Sequence, residues 1–398
     1  MTIDELVGVF RRHLYLPDAG PLLIVMGAVV ANRMAGDPVW LFLVGPSSIG
    51  KTEILSALGG LDDVYPVSTI TEAGLLSGST SRREGATGGL LAEMTERGGR
   101  GIIVCKDFTS ILSKPPQSRA ELLAALREVY DGAWIRRLGV NGGRTLAWQG
   151  KAGLIGGVTE TIERHAAVIG AMGERMALYR MPVLDDDARL AHGRVGARHS
   201  GREASFRAEL AEAVAEFMGG LSLPQEPEPI DDAGTEALVR LADLATRCRS
   251  VVERDERTKE VVLAPQSEAA TRLLLVLIAL TRALWAIGVP DTEVQRLIAN
   301  VALDGMTKAR RAVVDLMAMA RPGTLWSAAQ VADAVGLPTE PAAHTLEDLA
   351  AHRVVERNSD AKGPHRWGAS AWLTTRWGEL DLPTGRGDDN RHEKEANQ

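Results

Sequence analysis

Apolar positions along the chain change period several times, and each change marks an element. Apolar residues at Ile3, Leu6, Val7, Phe10 and Leu14 recur at helical spacing; Pro17 and Asp18 break that stripe, and Pro21 to Met34 predicts a second helix. Gly36-Asp37-Pro38 turns into a short, wholly apolar run, Trp40 to Val44, which predicts a buried strand. A helical run follows over Glu53 to Leu58, then a possible strand over Val64 to Ile70. Glu72 to Arg100 is rich in Gly, Ser and Thr and reads as loops around a short helix, either a pore or intersubunit loop or a solvated connection. Gly101 to Phe108 is an apolar strand ending at an acid, and Arg119 to Tyr130 is a helix. Trp134 to Val140 and Arg144 to Trp148 flank Asn141-Gly142-Gly143, the pattern of a tight hairpin, which runs into an apolar strand over Lys151 to Val158.

Farther along the periodicity is helical. Asp185 to His199 predicts a polar helix and Phe206 to Phe217 an amphipathic one. Gly219 to Gly234, with Pro224, Pro227 and Pro229 among acids, reads as a linker. Leu238 to Val252 and Glu268 to Ile287 predict long helices bridged by a charged, strand-like stretch, and Arg296 to Met319 closes a bundle. Ala328 to Val335, the Gly336-Leu337-Pro338 turn and Pro341 to Ala351 make a helix-turn-helix. Val354 to Arg357 and His365 to Gly368, around Lys362-Gly363, add a β-hairpin wing. From Pro383 the polar, mixed-charge end predicts a disordered tail.

Composition narrows the class. A chain of 398 residues allows two or three domains, and a net charge of −7 argues against a globally basic nucleic-acid binder, leaving local patches for any such contact. Two cysteines, Cys105 and Cys248, form neither a disulfide framework nor a metal-ligand spacing, as expected of buried thiols in a reducing cytoplasm. No signal peptide is evident, and the most apolar run, Leu22 to Ala31, is too short to span a bilayer.

The chemistry concentrates after the first strand. Gly45-Pro46-Ser47-Ser48-Ile49-Gly50-Lys51-Thr52 fits G-x-x-x-x-G-K-[ST] without a mismatch, between a strand and a helix as that motif requires. Its glycines let backbone N–H groups point at phosphate oxygens, Lys51 places a charge on the β- and γ-phosphates, and the Thr52 hydroxyl can ligate Mg²⁺. The expected ligands are therefore a nucleoside triphosphate and Mg²⁺. The strand ending in Lys106-Asp107 is what such a sheet needs beside the phosphates, because a carboxylate there holds the metal or orients the attacking water. The usual pair of acids is here a lysine and an acid, so Asp107 serves one role or both, with Glu128 or Asp131 as sources of a second carboxylate.

The order of loop, acidic strand, helix, basic hairpin and strand ending at Thr159 resembles AAA+ ATPases of the pre-sensor-1 hairpin group, which includes the minichromosome maintenance helicases and the superfamily 3 viral helicases. Lys106-Asp107-Phe108-Thr109-Ser110, Tyr130-Asp131-Gly132 and Met172-Gly173-Glu174-Arg175 are similar to MCM-like ATPases of phages and mobile elements. The resemblance covers Gly36 to Pro182 well and Arg247 to Val314 more weakly. It implies ATP as the triphosphate, and an α/β AAA+ core, a helical lid and a C-terminal winged helix, assembled as a hexameric ring that translocates on DNA, with replication proteins as possible partners and no membrane. The corresponding division is lead-in helices over 1–36, the ATPase core over 37–222, the lid over 235–320, the winged helix over 321–372 and the tail over 373–398.

Carried over residue by residue, Thr159 stands at the γ-phosphate sensor and Arg175 at the arginine finger, with Arg164 and Arg180 as competitors. Arg272 is the candidate second sensor, with Arg247 and Arg282 as rivals. Arg136, Arg137 and Arg144 of the hairpin, and Lys362 and Arg366 of the wing, are the DNA-binding candidates. A solvated ribbon and a protein-docking wing are the competing readings. The chain lacks the family's tandem acids and its large N-terminal DNA-binding domain. A helicase loader or initiator, or a nucleotide-switched DNA-binding regulator, are the alternatives to a helicase.

Overall fold

In the computed structural model, residues 1–76, 89–138, 144–165, 172, 175–224, 228–255, 257–358 and 365–380 are described. The Asn141 turn and residues 381–398 of the predicted tail lie outside them, whereas the start expected for the tail, 373–378, belongs to the helix Ala371–Gly378, which Ser370 caps.

Five parallel strands form the central sheet: β1 (Trp40–Val44), β2 (Val64–Val67), β3 (Arg100–Cys105), β6 (Lys151–Val158) and β7 (Met176–Arg180), in the order β2-β3-β6-β1-β7. β4 (Ala133–Leu138) and β5 (Arg144–Gln149) pair separately as an antiparallel ribbon. Every residue of β1, β6 and β7 is buried, which is why these segments read as continuous apolar runs instead of alternating ones.

The period of two nevertheless sorts their side chains between two cores. Leu41, Leu43, Ile102, Val104, Ile155, Ala177 and Tyr179 face one core, together with the first two helices (Ile3–His13 and Gly20–Arg33) and the helices beyond β7. Trp40, Phe42, Ile103, Cys105, Leu154, Met176 and Leu178 face the other, with the helix Pro116–Tyr130 and the hairpin residues Trp134, Leu146 and Trp148. The lead-in helices are thus part of the core layer. The helix Gly20–Arg33 is buried nearly along its whole length, and no helix among the described residues is long and apolar enough to cross a membrane.

The buried Lys151 caps that second helix. It begins β6, and its Nζ donates to the carbonyls of Ala31 and Met34 at 3.2 and 2.8 Å, satisfying acceptors that a helix C-terminus leaves open. Burial lowers its pKa to about 8. The unfolded lysine titrates near 10.4, so between about pH 8 and 10.4 the unfolded chain binds more protons and this group's contribution to stability rises with pH. Burial raises the thiols of Cys105 and Cys248, which act in the opposite direction above about pH 8.5. The expected result is therefore a difference: urea unfolding at pH 7 and 9.5 should show wild type gaining stability relative to Lys151→Met. A difference independent of pH would mean that Lys151 is not a buried ammonium.

Beyond β7, the helices Asp186–Arg198 and Glu203–Gly219 return across the sheet, and Asp232–Arg249, Thr271–Ala286, Asp291–Asp304 and Lys308–Met319 form the bundle. The stretch Arg296 to Met319, expected to close the bundle, comprises two helices: the first ends at Asp304, and the Thr307 hydroxyl caps the next. The break has a purpose at the sheet edge. Asp304, fully buried, accepts the backbone N–H of Arg180 at 2.7 Å, covering a donor of edge strand β7.

The C-terminal unit comprises the helices Ala328–Val335 and Thr339–Ala351, the ribbon β10 (Val355–Asn358) with β11 (Arg366–Ala369), and a further short helix, Ala371–Gly378, capped by Ser370. Its second helix is docked by its acids. Arg254, from the small ribbon β8 (Glu253–Arg254) and β9 (Val261–Leu263), donates to Asp348 at 2.5 Å and Glu347 at 2.9 Å. The buried Arg310 reaches the other oxygen of Asp348 at 2.8 Å.

Candidate active site

Three loops at the C-terminal ends of parallel strands meet at one cleft of about 560 Å³. The loop after β1 contributes Ser47, Ser48, Gly50, Lys51 and Thr52; the loop after β3 contributes Lys106, Asp107 and Thr109; the end of β6 contributes Gly157, Val158 and Thr159. This is where parallel α/β sheets generally hold ligands. β6 lies between the other two strands, so Asp107 approaches Lys51 across one intervening strand.

Local backbone requirements explain the residue choice. Ser48 and Gly50 both have positive φ, 62° and 94°, curling the loop before Lys51 starts its helix (Lys51–Ser56). A Cβ on Gly157 would lie 2.7 Å from the Lys106 carbonyl, so only glycine lets β6 pass this close to the chain leading to Asp107.

Lys51 is 7% exposed, and its Nζ donates to the carbonyls of Gly45 and Pro46 at 2.7 and 2.6 Å. Burial lowers its pKa, with Glu160 and Asp107 opposing. Pro46 and Ile49 complete the loop, Ile49 packing against the first core. Asp107 is exposed, two residues beyond the end of β3, and its Oδ1 accepts the Thr109 N–H at 3.1 Å. Thr159 donates its N–H to the Thr109 hydroxyl at 2.9 Å, and the two hydroxyls are 3.3 Å apart. Thr109, assigned no role from sequence, therefore ties the acidic loop to the sensor position; its place two residues after Asp107 was the available signal. Thr52 and Asp107 offer hard oxygen donors to one cleft, which fits Mg²⁺, an ion that takes one or two protein oxygens and completes its shell with water and phosphate. Among the described residues no cluster of three or more His, Cys, Asp or Glu could hold a metal by itself.

Other candidates lie elsewhere. Arg175 precedes β7, whose first residue pairs with Trp40, so it adjoins the opposite end of the strands from Lys51, on the order of 16 Å away at strand rise. It is buried, donates to both oxygens of Asp131 at 2.9 and 2.7 Å, and lies over the Tyr130 ring. Arg272 is exposed and does not line the cleft. Its charge instead acts with that of Arg175 on Tyr130, whose phenol burial pushes up to about 12 while the two arginines pull it back. The rival Arg180 is buried and paired with Glu163, and Arg247 stacks over Trp372.

In the hairpin, Arg136 is held by Glu72 at 3.1 Å and the Leu76 carbonyl, whereas Arg137 is exposed beside the exposed Ile135. Arg144 begins β5 opposite Leu138. Arg366 is exposed on β11 and donates to Gln330; Lys362 lies outside the described residues. The second helix of the C-terminal unit, docked through Glu347 and Asp348, is turned to the bundle.

Sequence reasoning also missed part of the cleft wall. His13 and Tyr15, together with His192, His199 and Phe206 from the helices after β7, line it. The available signal was the spacing of His192, Val195, Gly196 and His199, one stripe on an otherwise polar helix.

No family model and no curated protein matches the chain. Among solved structures it is similar to the A form apo structure of the NrS-1 C terminal region, at 10% identity and a TM-score of 0.27, covering 93% of this chain and 76% of that one. A likeness this low carries no argument about fold or function.

Proposed function

We propose that this chain is an ATP-hydrolysing AAA+ motor with a C-terminal winged helix that acts on DNA as an assembled ring, as an MCM-like helicase of a mobile element would. The observation that carries the reading is the convergence of Lys51, Thr52, Asp107 and Thr159 on one cleft, from loops that follow three parallel strands. Lys51 would neutralise the β- and γ-phosphates, Thr52 and Asp107 would hold Mg²⁺, and Thr159 would contact the γ-phosphate. Arg175 lies away from its own cleft, so the role proposed for it is on a neighbouring subunit's nucleotide, while Arg272 would reach the nucleotide of its own cleft only by closure of the lid. Arg137 on the outer face of the hairpin, with Arg366 on the ribbon, supports contact with phosphate backbones.

ATP turnover measured with and without single-stranded DNA, alongside native mass, tests this reading. A ring whose turnover rises with DNA is expected. Slow turnover indifferent to DNA would replace the motor with a nucleotide-switched regulator.

The division of labour at the acidic loop gives a sharper expectation. Asp107→Asn keeps the hydrogen bond from Thr109 but loses the charge, so ATP binding should persist while turnover falls at least a hundredfold, as for a group acting on the transferring phosphoryl or its water. Single-turnover phosphate release measures it. Unchanged hydrolysis would move the role to another acid such as Glu128; Asp131 is already committed to Arg175.

A further inference from the structure

Besides the loop around Lys51, the cleft is lined by rings drawn from distant segments. His13 and Tyr15 stand at the end of the first helix, His192 on the helix Asp186–Arg198, His199 at the C-terminal cap of that helix, and Phe206 in the first turn of the next one. Tyr15 and His192 meet edge to face, with centroids 6.4 Å apart and planes at 86°. His13 stacks on Phe206 at 5.8 Å, and His199 lies 5.1 Å from His13 and 5.2 Å from Phe206.

The helix carrying His192 buries no residue of its own. It nevertheless turns His192, Val195 and Gly196, positions i, i+3 and i+4, toward the cleft. An element without a core of its own, presenting a ring to a cavity, is arranged to pack on what enters that cavity. Three imidazoles would first suggest a metal. The described residues contain no such cluster, and His13 is paired with Glu209 at 2.9 Å.

A cleft with a lysine-centred loop at one part and flat π-faces at another matches a planar heterocycle joined to a polyphosphate. We infer that Tyr15 and His192 form a nucleobase subsite, with the His13–His199–Phe206 group as its backing, and that the cleft takes purine nucleoside triphosphates. With the two planes at 86°, a planar base stacks on one ring and meets the other at its edge, a corner that a bicyclic base spans more fully than a pyrimidine does. The inference rests on reading the Gly45–Thr52 loop as a triphosphate site.

Calorimetric titration of the full chain with ATP, CTP and inorganic tripolyphosphate separates the two ideas. Wild type should bind ATP roughly five- to 150-fold more tightly than tripolyphosphate, the range that stacking of one base contributes. Tyr15→Ala and His192→Ala should each lose much of that margin and leave tripolyphosphate binding unchanged. Tyr15→Phe, which keeps the ring, should retain it. Both side chains are only half-buried, so the alanine variants should fold, as circular dichroism would verify. Equal affinity for ATP and tripolyphosphate, unaltered ATP binding in both alanine variants, or CTP binding as tightly as ATP would overturn the base subsite. If neither phosphate ligand binds, or if Lys51→Ala binds both as wild type does, the triphosphate reading itself fails.

Discussion

Lys51→Ala should leave the chain folded and unable to bind or hydrolyse ATP. The ammonium is buried in the cleft and held by the carbonyls of Gly45 and Pro46, which are acceptors that phosphate oxygens can replace. At about 1.5–3 kcal/mol for each hydrogen bond to a charged group, losing two phosphate contacts weakens binding a hundredfold or more. Folding should not suffer in proportion, because burial already disfavours the charged lysine and its removal relieves that cost. Titration with a fluorescent ATP analogue, with thermal unfolding alongside, reads both quantities. Wild-type affinity in the variant would remove the triphosphate site and most of the proposed function with it.

Arg175→Ala should bind ATP normally and hydrolyse it on the order of a thousandfold more slowly, if Arg175 reaches a neighbouring subunit's nucleotide. Its location complicates a simple deletion. The guanidinium is clamped by Asp131 and covers Tyr130, so removing it also loosens the edge of the fold. Asp131→Asn provides the control, since it weakens the clamp and keeps the guanidinium. A finger predicts retained turnover in Asp131→Asn; a purely structural clamp predicts that both variants lose thermal stability and turnover together. Mixing Arg175→Ala with Lys51→Ala should restore part of the activity, because some junctions then join an intact loop to an intact arginine. Native mass must first show that subunits exchange. Mixed rings without recovered activity would exclude Arg175 as the trans group.

The elements most legible in the sequence were those whose residues carry one reading each. β6 begins and ends where its apolar run does, and residues of the Gly45–Thr52 loop and of the acidic loop line one cleft. Boundaries moved where capping chemistry outweighed periodicity. The helix before the hairpin starts at Pro116 instead of Arg119, because a proline opens its first turn. The ring cluster was not legible because its members are separated by most of the core and meet only when the helices after β7 fold back across the sheet. The partners of Arg175 and Arg136 were equally hidden. An arginine's spacing shows where it leaves the backbone, and Asp131 and Glu72 decide where its charge goes.

The docking of the C-terminal unit has an electrical consequence. Two of its acids, Glu347 and Asp348, are paired with Arg254 and Arg310 at the docking contact, while Arg357 and Arg366 on the ribbon remain exposed. Two carboxylates of the unit are thereby neutralised, although Asp333, Glu340 and Glu356 stay exposed on it. Swinging the second helix outward would break both clamps and turn carboxylates toward any approaching phosphate backbone. A negatively charged partner thus favours the docked orientation over the released one, and binding and internal docking reinforce each other.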